Sequence, residues 1–518
     1  MTALLERTLP AVAVTRRRGW PAPVLIGVLA AAVSVAGSWV PSVWYDEAAT
    51  VVSATRSWGA LGREVQHVDL VHVTFYALMH VWFDLVGYSP FTLRLPSAIA
   101  VGAAVGLTVV LGRALAGRRV GVLAGVFTAL LPRVTWMGEE GRSFAFGMLL
   151  AVAGTLLLVV AVRRTEAAAR SWPWWIGYVA VSALGGAVFL YLALVTVGHG
   201  VTVALPLLRR STRTRAALRA AGCWAGAAVV VLGALLPFAR ATSSQSGQID
   251  WIRHVSAHTL EEVLVTQFSY ENTGFAVLMC ILAVGGALFA LHHAPGRRLL
   301  AVVLPWVGVP TIGLVAVSLV TNPLYSPRYV SFAAPTAALC MAVAVDALQR
   351  SAAISSRRAA GATTVLAVAV AAALSAPSWV AQRTVTAKDD SAWNAVAALV
   401  HRERAREPAG TVDAVVFGPL ERHPKATSRI IEETYPKAFA GARDPLLVTP
   451  AGGGDALWDT QRPLSDIGGA VAGDDAVWLL TAVSPDERAT VTASLAAAGY
   501  HVDRTWTVAR TRVVRYLR

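Results

Sequence analysis

The sequence predicts a polytopic α-helical membrane protein of about 11 transmembrane helices followed by a soluble α/β domain. Three observations carry that expectation. Of 518 residues, 55% are hydrophobic and 15% charged, and the mean hydropathy of +0.56 is far above that of a water-soluble chain. Apolar runs of about 18 or more residues recur, each long enough to cross about 30 Å of hydrocarbon. From about Arg383 the composition turns into that of an ordinary soluble domain.

In order, the candidate spans are 22–40, 93–112, 120–137, 143–162, 173–189, 191–208, 220–239, 273–291, 299–320, 330–348 and 359–378. The first is expected to be retained, because its apolar stretch is long and is followed by Pro41 and bulky aromatics instead of a small-residue cleavage site. The net charge of +14 sits in short basic patches between spans: Arg16 to Arg18, Arg113/Arg118/Arg119, Arg163/Arg164, Arg209 through Arg219, Arg297/Arg298 and Arg350/Arg357/Arg358. With the N-terminus cytoplasmic, all of these patches share the cytoplasmic side, as the positive-inside rule requires. Membrane orientation therefore accounts for the charge, and no nucleic-acid partner is expected. The odd span count leaves everything after residue 378 on the outer face. Cys223, Cys280 and Cys340 fall inside apolar segments, which argues against a disulfide framework or a thiolate metal site.

The segment Val68–Gly87 is apolar enough to resemble a span, but counting it as one would put Arg113, Arg118 and Arg119 outside. It reads instead as an amphipathic helix along the membrane surface, with Asp69, His72, Tyr76 and His80 on one face. Residues 41–92 then form a long, structured first outer loop. Polar residues concentrate on this outer side: Asp46, Glu47, His67, Asp69 and His72 in the first loop, and Glu139-Glu140-Gly141-Arg142 in the second. Gln267, Tyr270, Glu271 and Asn272 lie in the loop 240–272, and Arg328 and Tyr329 in the loop that starts at Thr321. The inner loops offer little beyond arginine.

The soluble part reads as a small α/β domain. Ser391–Arg404 and Pro485–Ala498 are expected helices, Val412–Phe417 and Ala476–Leu480 apolar strands, and His501–Val508 with Thr511–Leu517 a closing strand pair. Gly452-Gly453-Gly454 follows no strand and opens no helix, so it reads as a flexible turn. The chain thus divides into a membrane domain, 1–380, and an extracytoplasmic domain, 381–518.

Ionisable groups at the rim of a span are costly and usually serve chemistry. Asp46 and Glu47, beside an aromatic pair and with His72, Arg142 and Arg328 on neighbouring outer segments, suit displacement of a phosphate-linked sugar. That reaction needs a base for the incoming hydroxyl and cations for the departing phosphate. Asp46 can be the base; Arg328 or Arg142 can grip the phosphate through the guanidinium fork, with or without a divalent metal such as Mg or Mn. Each residue also has a plain structural reading. His72 could bond a loop carbonyl, Arg94 could snorkel to headgroups, Arg142 could pair with Glu139, and His199 reads as a satisfied core histidine.

The order of motifs resembles the polyprenyl-phosphate-dependent glycosyltransferases of the GT-C superfamily. It runs Tyr45-Asp46-Glu47, then Asp69-x-x-His72-x-x-Phe75-Tyr76, then Ser89-Pro90-Phe91-x-x-Arg94-Leu95-Pro96. It continues with Glu139-Glu140-Gly141-Arg142-Ser143-Phe144 and ends with Ser326-Pro327-Arg328-Tyr329. The branch of protein O-mannosyltransferases and lipid A aminoarabinose transferases is the most similar, with actinobacterial mannosyltransferases. The resemblance covers residues 22–350. It implies inverting transfer of a sugar, mannose-like, from a polyprenyl-monophosphate donor to a lipid, glycan or protein acceptor on the outer face of the cell membrane. It makes Asp46 the base with Glu47 beside it, and Glu139 or Glu140 a second acid that shapes the metal and phosphate region. Arg328, Arg142, His72 and Tyr329 fall to the donor phosphate, and Asp69 and Tyr76 to substrate. One departure stands out: this chain has His72-Val73-Thr74 where relatives often have a lysine or histidine before two prolines, so the usual lysine contact to the phosphate is missing. The competing reading is a lipid or sugar-lipid translocase without transferase activity, which would call for inverted repeats and mid-membrane ionisable residues.

Overall fold

The first apolar segment forms a helix, α1 (Pro21–Val35), that stops short of the expected boundary. Residues 36–42 turn instead, with Gly37 at φ +75° and the carbonyls of Ser38, Pro41 and Ser42 all accepting from Arg94. The computed structural model describes residues 21–518 apart from 209, 246, 248–250 and 409. Arg16 to Arg18 and Arg209, expected in cytoplasmic patches, lie outside the described residues.

After the turn come α2 (Tyr45–Ala54), α3 (Trp58–His67) and α4 (Val73–Val86). Membrane-type helices follow: α5 (Pro90–Ala116), α6 (Arg118–Leu130) with a short continuation α7 (Pro132–Met137), α8 (Phe144–Glu166), α9 (Trp172–Val188) and α10 (Ala193–Ala204). Then come α11 (Arg215–Ser243), α12 (Thr273–Leu291), α13 (Ala294–Val320), α14 (Ala334–Ser355) and α15 (Arg357–Ala381). Among the described residues 8 helices are long and apolar enough to cross a membrane. The other three expected spans appear as helices of 15, 13 and 17 residues, at α1, α6 and α9. The span expected at 120–137 breaks at Leu131, whose ψ of 123° is extended. A residue before proline is pushed out of the helical region, and Pro132 then starts the next helix.

Packing brings helix backbones close wherever small residues face each other. A Cβ on Gly27 of α1 would sit 2.6 Å from the Gly102 carbonyl of α5, and one on Gly286 of α12 would collide with the Cys340 carbonyl of α14. Small residues permit this approach, which is how dispersion holds helices together in an apolar solvent. Within Pro327–Ile354 the stretch 330–347 is buried almost throughout and forms the centre of the bundle, whereas Arg357–Ala381 is mostly exposed and lies at its periphery. The 3-10 turn Pro327–Ala333 at the head of α14 therefore holds Arg328 over the middle of the bundle.

The segment 68–87 is a left-handed residue at Asp69, a short 3-10 turn and then α4. Phe75, Tyr76, Met79 and Phe83 point inward while Leu78, Val81 and Leu85 stay exposed, so α4 is apolar on both faces; Asp69 and His72 lie in the turn before it, which corrects the expectation of an amphipathic helix carrying them on one face.

In the C-terminal part, α16 (Trp393–Arg404) and α17 (Arg488–Ala497) flank a sheet of β1 (Asp413–Phe417), β2 (Ala476–Ala482), β3 (His501–Val508) and β4 (Thr511–Leu517). The order is β1-β2-β4-β3, with β1 parallel to β2 and the other pairs antiparallel. Alternation divides the sheet into two faces. Ala414, Val416, Val477 and Leu479 pack on Ile467, Val491 and Leu495. Val415, Phe417, Trp478 and Leu480 instead share one core with Val43, Ala48, Val51, Phe75 and Leu93. The first loop and the C-terminal sheet thus share a single hydrophobic core.

Candidate active site

Trp44 is extended and opens α2, so Asp46 and Glu47 occupy its first turn, where the helix dipole favours carboxylates. Successive residues on a helix face different ways, and these two meet different fates. The Asp46 side chain keeps 23% of its surface exposed, and its Oδ2 accepts from Arg328 Nη1 at 2.8 Å. Burial pushes the Asp46 carboxyl up, but Arg328 and Arg142 outweigh it and hold the group below the usual carboxylate range.

Glu47 is fully buried. Its Oε1 accepts from Arg94 Nε and from the Gly141 amide, both at 2.8 Å, and its Oε2 from Arg94 Nη2 at 2.5 Å. With both oxygens bonded inside the protein, Glu47 is placed to hold α2 against α5. Arg94 does not snorkel: it is 0% exposed, and ties the turn 38–42 to α2.

Arg142 is the hub of the next layer. It donates to the Asp46 carbonyl at 3.0 Å, to the Tyr76 hydroxyl at 3.2 Å and to His72 Nε2 at 2.8 Å, and it does not pair with Glu139. Tyr76 in turn donates to Asp69 Oδ2 at 2.7 Å. Because His72 accepts from a guanidinium, its ring is neutral; burial and then Arg142 push its pKa well below 6.5. Asp69, His72, Tyr76 and Arg142 therefore lie in one network with Asp46 and Arg328.

Arg328 lies under the Trp251 ring, 4.4 Å from its centroid, with Tyr329 at 5.7 Å and Trp44 at 5.9 Å. Its Nε has no hydrogen-bond partner among the described residues. A guanidinium with one carboxylate contact and an unspent N–H, walled by aromatics, is built to take another anion.

Glu139 and Glu140 face cations. Glu140 Oε2 pairs with Lys388 Nζ while its Oε1 accepts from Trp44 Nε1 at 2.7 Å. Glu139 Oε2 stands 3.5 Å from Arg383, and burial pushes this carboxyl up to about 7. Among the described residues no group of three or more His, Cys, Asp or Glu converges to hold a metal. The carboxylates expected to ligate one are ringed by Lys388, Arg383 and Arg94, a donor set that does not fit a divalent cation.

Sequence reasoning missed several participants. Lys388 and Arg383 sit in the junction after α15. Arg133 donates to the Thr266 carbonyl at 2.8 Å and stacks against Tyr270 and Trp136. His423 stacks on Tyr45 at 3.7 Å, beside a narrow cleft lined by Trp44, Asp389, Asp390, Trp393 and Arg510. A lysine in an arginine-rich chain was the one legible signal. Gln267 and Asn272 turn out structural: the first accepts from Tyr325 at 3.0 Å, and the second caps α12. His199 is satisfied by Thr155 and Tyr178, both at 3.0 Å, as its core reading expected.

A multi-pass helical bundle, a structured first loop carrying the acids and a sheet domain joined to it define the architecture of this membrane protein. Its architecture is similar to that of ArnT from Cupriavidus metallidurans. The structure of ArnT bound to undecaprenyl phosphate superposes at a TM-score of 0.58 with 14% identity, over 95% of this chain and 97% of that one. The apo form gives 0.56 and 13% over the same shares. The oligosaccharyltransferase AglB from Archaeoglobus fulgidus, in complex with an inhibitory peptide and a dolichol-phosphate, matches at 0.49 and 11% over 95% of this chain and 74% of that one. No family model and no curated protein matches the sequence.

Proposed function

We propose that this chain is a membrane glycosyltransferase that moves a sugar, mannose-like, from a polyprenyl-monophosphate donor to a cell-envelope acceptor. In this reading the N-terminus is cytoplasmic, and the site and the domain after residue 380 face outward. The single observation that carries it is the Asp46–Arg328 pair, a partly exposed carboxylate and guanidinium at 2.8 Å in the mouth of a GT-C fold.

Donor phosphate competes with Asp46 for Arg328. Once the guanidinium turns to the phosphate, using the Nε that is otherwise unspent, the Asp46 carboxylate loses its counter-ion and becomes a stronger base. The acceptor hydroxyl attacks the anomeric carbon from the face opposite the phosphate, its proton passes to Asp46, and the bond from sugar to phosphate breaks. Inversion follows. Arg328 stabilises the charge on the leaving polyprenyl phosphate, and Arg142 contributes from the far side of Asp46 while keeping His72 and Tyr76 in place. Glu47 and Arg94 hold the base in register.

The ionisable groups gather around the start of α2 and the segments packed on it, which supports transfer over the translocase alternative. The test is to supply purified protein with radiolabelled polyprenyl-phosphate mannose or pentose and an envelope extract. Label moved to an acceptor supports the reading; no transfer from any donor, by a protein that binds the lipid, refutes it.

A further inference from the structure

The segment between α15 and α16 doubles back across the site instead of leaving it. Gln382 donates to the Pro132 carbonyl at 2.9 Å and accepts from Thr135 at 2.8 Å. Arg383 donates to the Ala36 carbonyl at 2.7 Å, and Ser391 to that of Val43 at 2.8 Å. At the centre of this strap is Lys388, only 3% exposed.

The chain has 45 basic residues, of which three are lysines, and the other two, Lys425 and Lys437, are exposed. An ammonium is a compact point charge with three donors, whereas a guanidinium is a wide planar fork. The space here calls for the smaller group. Lys388 Nζ pairs with Glu140, lies 4.0 Å from Glu47 Oε1 and sits 5.7 Å from the centroid of Trp136. Burying an ammonium is tolerated only when it is paired, as it is here. Glu140 passes the constraint on through its second oxygen to Trp44, the residue that opens α2 and flanks Arg328.

We propose that Lys388 is a positioning residue: it clamps Glu140, Glu140 fixes the Trp44 indole, and the indole holds the Asp46–Arg328 pair in register. The inference rests on the transferase reading above. It makes the rate of transfer depend on how the junction to the C-terminal domain is seated, although Lys388 itself touches no substrate. Misplacing a catalytic group by about 1 Å costs on the order of 100-fold in rate.

The test uses the full chain in detergent with Lys388→Met and with the double variant Lys388→Met/Glu140→Gln, which removes the stranded carboxylate and restores folding if the single variant lacks it. Initial rates give kcat and the donor KM, and fluorine NMR of 5-fluorotryptophan protein, with the Trp44 line assigned by its loss in Trp44→Phe, reports the indole. Both variants are expected to lose about 100-fold in kcat with little change in donor KM, and to shift the Trp44 line. Native kcat in the stably folded double variant would make Lys388 merely structural and overturn the proposal. So would a raised donor KM at unchanged kcat, which marks a phosphate ligand, or an unmoved Trp44 line. If the native chain transfers no sugar, the transferase reading fails, while the Trp44 line still decides whether the clamp exists.

Discussion

Asp46→Asn should change catalysis and donor binding in opposite directions. The substitution keeps volume and hydrogen bonding but removes the proton acceptor and the charge that now occupies Arg328. The ion pair is short, at 2.8 Å, yet its side chains are 19% and 23% exposed, so solvent screens it. A pair of that kind is worth about 1 kcal/mol. The incoming phosphate must displace the carboxylate, so its removal should tighten binding of polyprenyl phosphate about fivefold. Loss of a general base should lower kcat by about 10² to 10⁴-fold. Initial rates with radiolabelled donor and titration calorimetry with polyprenyl phosphate measure the two effects separately. In the native protein, Asp46 sits below the usual carboxylate range, so it is ionised throughout neutral pH. Accordingly kcat/KM should stay flat there and fall only in acid. Transfer at native rate by the Asn variant, or weaker lipid binding, would refute the reasoning.

Three further outcomes follow from the same geometry. Arg94→Met should lower stability by about 3–5 kcal/mol, because it strands the buried Glu47 charge and three backbone carbonyls; a shift in thermal unfolding no larger than that of a surface variant would contradict this. Glu139 titrates at about 7 in the fold against 4.5 in the open chain, so its contribution is present below the lower value and lost as pH rises through the higher one. Glu139→Gln should flatten that dependence between pH 5 and 8, by roughly 3 kcal/mol at most, and an unchanged slope in thermal unfolding would count against it. In a background lacking the native cysteines, Arg63→Cys and Asp466→Cys should react with an impermeant reagent applied outside cells, and Arg213→Cys should not; the opposite pattern would invert the topology.

Hydropathy alone determined the class of this protein and the approximate place of its long apolar helices, because in a bilayer every backbone group must be satisfied within its own segment. It also placed the closing strand pair, His501–Val508 and Thr511–Leu517, and the order of motifs around Asp46, His72, Arg142 and Arg328. It did not decide the ends of helices: α1 stops at Val35, where Gly37 takes a positive φ and Arg383, far along the chain, bonds the carbonyls of Val33, Ser34 and Ala36. Nor did it decide which charges pair. Glu47 is adjacent to Asp46, yet one is locked against Arg94 and the other faces the groove, a difference of about 100° around a helix. Glu140 finds Lys388 across 248 residues. Such pairings are chosen by which groups the fold removes from water together, since a buried charge must take whatever counter-ion packing delivers. That choice, and the shared core joining the first loop to the C-terminal sheet, belong to the tertiary structure.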